Sequence, residues 1–359
     1  MKTINFNSNQ FSYLSKEVRQ AMDDANLIMQ SHKPNSFGID YKIMAETENA
    51  RNYIAEVLKL SAHEIFFSNG NQNSDVEIIN HAVLFLKVKN IFTSIFENKH
   101  KLEYLKGLQS VGRINLNYIE TSEFGEINLD YLKDKLSQIE SKSLISLSHA
   151  NLYTGILLPV KDVLAFCRTN HVYFHLDVSL TIGRYQIDFE KLKPDFVNFD
   201  SSLLQGPVGV GIQIINNKIE IDLKGYQCIA KSFAMLENKN LAQIMGFIKA
   251  FSISLLHIED NRLILIKLRE YFIIKANSAL KLKALDIGSK KLGLYNLIPL
   301  YMDKNIVGDY LIEKLDLNGI FVQNSGFPID IYPNQQFLHI AINKDITEND
   351  IDYFFEVIE

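Results

Sequence analysis

Asp177 ends the apolar run Val172 to Asp177, VYFHLD. A carboxylate in that place can hold a ligand cation, or it can cap local backbone and pair with a neighbour, and the residues leave both readings open. Ser68 to Asp75, SNGNQNSD, begins a helix, so its backbone amides could hold an anion, although a polar helix start is the plainer reading. His171 and His175 share strand spacing in HVYFH, but no cysteine or carboxylate stands at ligand spacing. They read as a packed structural pair, and no metal site is expected. Cys167 has apolar neighbours and reads as inert core, while Cys228 has no basic flank beyond Lys231 to lower its pKa. Val197 to Gly211, VNFDSSLLQGPVGVG, reaches a double leucine and then a glycine-proline turn. Gly206, Gly209 and Gly211 precede a strand, not a helix, so they serve backbone geometry and do not form a dinucleotide fingerprint.

The elements that must position these residues alternate. Apolar strands are expected at Ile65 to Phe67, Asn90 to Ser94, Ile114 to Ile119, Leu144 to Ser148, Val172 to Asp177, Asp195 to Phe199 and Val210 to Ile215. Helical spacing marks Ser15 to Met29, Tyr41 to Leu60, Val76 to Lys87, Leu129 to Ile139 and Val160 to Thr169. Ser61 and Glu64 fit a capping box, but the apolar run behind them is too short for a helix. Strands without period-two alternation, joined by helices, predict an α/β fold whose mainly parallel sheet is buried on both faces. Ligands collect at the carboxyl ends of such strands, so the loops worth reading are SNGNQNSD, SHANLYTG, HLDVSLTIG and DSSLLQGPVG. A long apolar helical region follows from Asn240 to about Lys275. Strands at Leu297 to Met302, Ile320 to Gln323 and Phe337 to Ile342 and helices at Ile306 to Leu315 and Thr347 to Ile358 complete a smaller α+β region. The expected division is a large domain over residues 15–240 and a small α+β domain over 250–359 with 1–14.

Across 359 residues, 47% hydrophobic and 22% charged, the composition is that of a packed globular protein. A formal net charge of -5 and the lack of an arginine-rich stripe argue against nucleic acid as a partner. The opening MKTINFNSNQ lacks the apolar centre of a signal peptide, and no apolar run approaches a membrane span. Two cysteines give no disulfide framework, so a reducing cytoplasm is the expected setting.

The order of the loops resembles the cysteine desulfurases of the class V aminotransferase family, which have the fold type I pyridoxal phosphate (PLP) architecture. ARNYIAEVL followed by EIFFSNG is similar to the helix and strand before the family's phosphate loop. SLSHANLYTGILLPV resembles the family's MHANNETGVIQPI, and VYFHLDVSLTIGRYQIDF its FHVDAVQAVGKIPIDV. VNFDSSLLQGPVGVG falls where the family has LSFSAHKFYGPKGIG. The resemblance runs from about Ile4 to the C-terminus and is densest between Ala50 and Ile215.

It also implies where this chain departs. Leu203 stands at the position of the lysine that bonds the cofactor, and Ser202 at that of a phosphate-binding histidine. Asp177 stands at that of the aspartate paired with the pyridinium nitrogen. Leu180 replaces a glutamine that bonds the cofactor's phenolic oxygen, Leu152 a pocket asparagine, Asn98 the ring-stacking histidine and Asn71 a phosphate-contacting threonine. His339 corresponds to the arginine that clamps the substrate carboxylate. The loop that carries the nucleophilic cysteine reads QNSGFPIDIYPNQQ, shorter than in the family and without cysteine. YQCIAKSFAMLENKN, with Asn238 at a threonine position, replaces the glycine-rich HGGGQERGLRAGTEN that crosses the dimer interface. Lys193 and Lys218 are the lysines nearest Leu203 in sequence and are expected beyond the flanking strands.

These residues lead to the expectation of a catalytically inactive desulfurase paralogue with a vestigial pocket and no catalytic residue of its own. It would need no cofactor, with PLP held at most non-covalently. Since family members are homodimers, a homodimer or a heterodimer with an active cysteine desulfurase is expected, in sulfur and iron-sulfur metabolism. The alternative is a PLP-fold protein that binds PLP or another small molecule non-covalently for different chemistry.

Overall fold

The computed structural model describes residues 3–9, 13–30, 37–219, 240–279, 282–284, 293–302, 308–324 and 337–359. From the N-terminus run β1 (Ile4–Asn5), α1 (Lys16–Gln30), α2 (Phe37–Leu58), β2 (Ile65–Ser68), α3 (Asn71–Leu84), β3 (Asn90–Thr93), α4 (Lys99–Ser110) and β4 (Asn115–Tyr118). Next come α5 (Leu129–Ser137), β5 (Ser143–Ser148), α6 (Val160–Thr169), β6 (Tyr173–Asp177), α7 (Phe189–Leu192), β7 (Phe196–Asp200) and β8 (Gly211–Ile215). The rest is α8 (Leu241–Leu256), α9 (Ile258–Ser278), β9 (Leu282–Ala284), β10 (Leu297–Met302), α10 (Gly308–Leu317), β11 (Ile320–Phe321), β12 (Gln323–Asn324), β13 (Phe337–Ala341) and α11 (Glu348–Ile358).

The main sheet has seven strands in the order β2-β8-β7-β6-β5-β3-β4. Strands β7, β6, β5, β3 and β4 are mutually parallel, and β8 alone runs against its neighbours β2 and β7. The sequence lacks alternation because both faces of this sheet are apolar. Ile91, Leu144 and Phe196 pack with Ile78, Ile79 and Ala82 of α3 on one face. Phe92, Ile145, Phe174 and Val197 pack with Val163, Leu164 and Cys167 of α6 on the other.

A second, four-stranded antiparallel sheet, β12-β13-β10-β9, has its own core. Phe6, just after β1, joins that core and meets Phe272 and Phe354 edge-on at 5.8 and 5.5 Å. The expected strand Ile320 to Gln323 divides into β11, which pairs with β1, and β12, which pairs with β13. The expected single helical region after Asn240 is two helices, α8 and α9, bent by 72° at His257. No single described helix is long and apolar enough to cross a membrane. Ser61 and Glu64 form the anticipated capping box, but over one short 3-10 turn before β2.

The expected histidine pair does not form. His175 is buried in β6, while His171 is exposed in the turn before it with φ of 54°. Cys167 is buried in α6, and burial pushes its thiol pKa up. Cys228, Asn238 and most of the QNSGFPIDIYPNQQ loop lie outside the described residues.

Candidate functional site

The carboxyl ends of β2, β5, β6 and β7 open onto one cavity of about 570 Å³. One wall is polar and is formed by Asn69, Asn73, Asn98, Ser148, Asp177, Ser179, Asp200 and Ser202. Facing it are Leu152, Leu180 and Leu203. These three leucines belong to one apolar cluster with Leu294, Leu297 and Ala341, so they fasten the cavity to the second sheet. Asn71 is the first residue of α3 and is not among the residues that line the cavity.

Asp177 is buried, and its Oδ1 accepts from Ser179 N at 2.8 Å and Ser179 Oγ at 2.5 Å. Burial raises its pKa against the pull of these hydrogen bonds. Thus the carboxylate both caps local backbone and faces the cavity. Ser202 is tied by its N and Oγ to Asp200 Oδ1 at 2.6 and 2.5 Å. Gln205 then takes a left-handed φ of 62°, and the chain turns at Gly206. A Cβ on Gly206 would lie 2.2 Å from Ser201 Oγ, so glycine is required there. His339 sits in β13, where burial lowers its pKa to about 3, so it offers no cation at neutral pH. Lys193 and Lys218 line a separate cavity at the opposite end of the strands.

Beneath the polar wall lies a charged network that the loop motifs did not reveal. Lys101, on α4, is 0% exposed and donates to Glu97 Oε2 at 3.1 Å. Glu97 also accepts from Ser148 N and Ser148 Oγ at 2.7 and 2.6 Å. Asn98 caps α4 by accepting from Lys101 N at 2.8 Å, and its amide donates to Asp75 Oδ2 at 3.2 Å. Asn198 donates to Asp75 Oδ1 at 3.2 Å and shares a 2.7 Å hydrogen bond with His175 Nε2. The other ring nitrogen of His175 meets Ser146 Oγ at 2.8 Å.

Burial alone would lower the Lys101 pKa, but Glu97, Asp75 and Asp177 outweigh it and raise it. Lys101 is therefore a buried cation held among three acids. For His175, burial and the Lys101 charge lower the pKa to about 3, so the ring is neutral. Asp75 is raised to about 7, mainly by burial. Its folded form keeps a proton that an unfolded aspartate releases, so this contribution to stability is present in acid and lost as pH rises toward 7. Compared with wild type, Asp75→Asn should gain more than about 1.4 kcal/mol of relative stability between pH 4 and pH 7, the equivalent of one pKa unit. Urea unfolding at both pH values measures this, and a constant difference would refute the raised pKa.

The sequence profile of the Aminotransferase class-V family matches residues 11–244. The chain belongs to this family. The cysteine desulfurase IscS of Dictyoglomus turgidum is 26% identical over 366 residues, covering 96% of this chain and 91% of that protein. IscS of Buchnera aphidicola subsp. Baizongia pistaciae is 30% identical over 200 residues, covering 55% and 48%. Matches to three of the relatives span only 48%, 61% and 36% of those proteins' lengths. Among solved structures, a NifS-like protein superposes with a TM-score of 0.85 at 25% identity, covering 100% of this chain and 98% of that one.

Family membership corrects the expectation that no cofactor is required. Class V aminotransferases and cysteine desulfurases use PLP, and the family implies that cofactor here. Parts of the cavity fit it. Gly70, at φ of 95°, precedes α3, and a Cβ there would lie 2.8 Å from Asp200 Oδ2. The backbone leading into α3 therefore approaches Asp200 closely, with the first-turn amides of a 14-residue helix at the cavity mouth. Asp177 places a carboxylate in the cavity lining, where it would meet a ring nitrogen. No lysine stands among the described residues that line the cavity.

Sequence reasoning thus found Asp177, Ser202, Leu203, Leu152, Leu180 and Asn98 at one cavity. It missed Asp75, Glu97, Lys101 and Asn198, for which the only local sign was the four-residue spacing of Glu97 and Lys101.

Proposed function

We propose that this chain is a cysteine desulfurase-like protein of sulfur and iron-sulfur metabolism that does not itself desulfurate cysteine. It works in the cytoplasm as a structural or regulatory partner, as a homodimer or paired with an active desulfurase. The observation that carries this reading is the leucine wall. Leu203 stands where the resemblance places the cofactor lysine, and it packs with Leu152 and Leu180 into the cluster around Leu294. An apolar contact of this kind stabilises the join between the two sheets and offers no nucleophile.

The cavity residues support binding and orientation. When bound, PLP supplies an electron sink for bonds at the carbon bearing an amine. Asp177 would hold its ring nitrogen, and the first-turn amides of α3 with the Ser202 hydroxyl would hold its phosphate. Leu203 has no amine with which to bond it. The cysteines of the chain are Cys167, buried in α6, and Cys228, so the loop from Gln323 to Gln336 offers no thiolate.

Gel filtration of the purified chain, alone and mixed with an active cysteine desulfurase, tests the partner role. A stable dimer or a co-eluting complex is expected. A monomer that ignores the desulfurase would overturn it.

A further inference from the structure

The two elements suited to a phosphate, the first turn of α3 and the Ser202 hydroxyl, converge on a carboxylate that the chain already supplies. Asp200 ends β7, is 7% exposed and lines the cavity. Its Oδ1 accepts from Ser202 N at 2.6 Å and from Ser202 Oγ at 2.5 Å. A hydroxyl has one proton to donate, so that of Ser202 is already placed on Asp200.

The other carboxylate oxygen, Oδ2, lies 2.8 Å from the place a Cβ on Gly70 would take, and Gly70 is the N-cap of α3. That helix has no acid in its first turn, and its glycine cap has no side-chain acceptor. Asp200 thus puts a negative charge against the positive end of the helix dipole, where an anion is favoured. The lining also holds Asp177, and it has no lysine or arginine among the described residues. A phosphate monoester carries about 1.5 to 2 negative charges at pH 7. It would meet Asp200 with no cation in the lining to offset the repulsion.

We propose that Asp200 is a specificity-determining residue that makes this cavity favour an unphosphorylated pyridine ring over its phosphate ester. The proposal rests on the reading above that the cavity holds such a ring on Asp177. A hydroxymethyl group in the phosphate's place is neutral and brings a proton that Asp200 can accept. A phosphate would reach the Ser202 donors only by displacing Asp200 from them.

Calorimetric titration of the full chain with pyridoxine and pyridoxine phosphate tests this, because neither bears an aldehyde that reacts with surface lysines. Wild type is expected to bind pyridoxine at least as tightly as the phosphate ester. Asp200→Asn keeps an oxygen that accepts from Ser202 and loses the charge. It should move the affinity ratio toward the ester by about tenfold or more, since juxtaposed like charges cost at least that much. Asp200→Ser, which also releases the Ser202 hydroxyl, should move the ratio the same way. Asp177→Asn should weaken both ligands alike. A wild type that prefers the ester about tenfold, or a ratio that neither Asp200 variant moves while Asp177→Asn weakens both ligands, would overturn the proposal and keep the ring on Asp177. Binding that Asp177→Asn leaves unchanged, or no binding of either ligand, would overturn the ring placement and the proposal with it.

Discussion

Lys101→Met should destabilise the fold by about 3–5 kcal/mol, the cost of leaving a buried charge without its partner. The lysine is fully buried, Glu97 is 3% exposed, and their contact is 3.1 Å. Glu97 keeps two hydrogen bonds from Ser148 in the variant, but its negative charge would have lost the nearest cation. Asp75 and Asp177 also lose the cation that lowers the pKa of both, so burial would favour their protonated forms more strongly in the variant. Adding Glu97→Gln to Lys101→Met should recover part of the loss, because the amide is neutral and its one oxygen still accepts from Ser148 N. Urea midpoints at constant slope measure both effects. A single-variant loss below about 1 kcal/mol, the range of an exposed ion pair, would show that the network is not buried in solution.

The second large effect concerns the turn at Leu203. Leu203→Lys would put an amine at the cavity wall, beside Ser202 and across from Asp177. With added PLP and borohydride, the variant should gain a covalent adduct that mass spectrometry maps to residue 203. The same substitution should cost stability. Leu203 is half-buried, so a lysine in its place loosens the cluster with Leu180 and Leu294 at a cost below the about 2–5 kcal/mol of removing a fully buried leucine. An unmodified residue 203 under saturating PLP would show that the cavity does not present this position to the cofactor.

Much of the fold was legible because its signals are local. A run such as IFF (Ile65 to Phe67), apolar at every position, comes from a strand covered on both faces, and the helices between the strands carry one-sided apolar spacing. The break at His257 was not legible, since α8 and α9 form one continuous apolar stretch and the bend comes from tertiary packing. The cavity's loops were found by their place after strands. The charged network was hidden because FENKHKLEYLKGL reads as a solvated, lysine-rich helix start. Only the fold shows that Lys101 points inward while Lys99 is exposed. The cofactor expectation failed for a different reason. It weighed single replaced side chains, whereas backbone amides and Asp177, which fit PLP, survive such replacements.

The central claim is that the chain keeps the family's cavity without desulfurating cysteine itself. The most direct test is sulfide release from L-cysteine by the purified chain supplied with PLP and a thiol reductant. The account predicts release at the level of the protein-free control. PLP-dependent release that Asp177→Ala abolishes would contradict it.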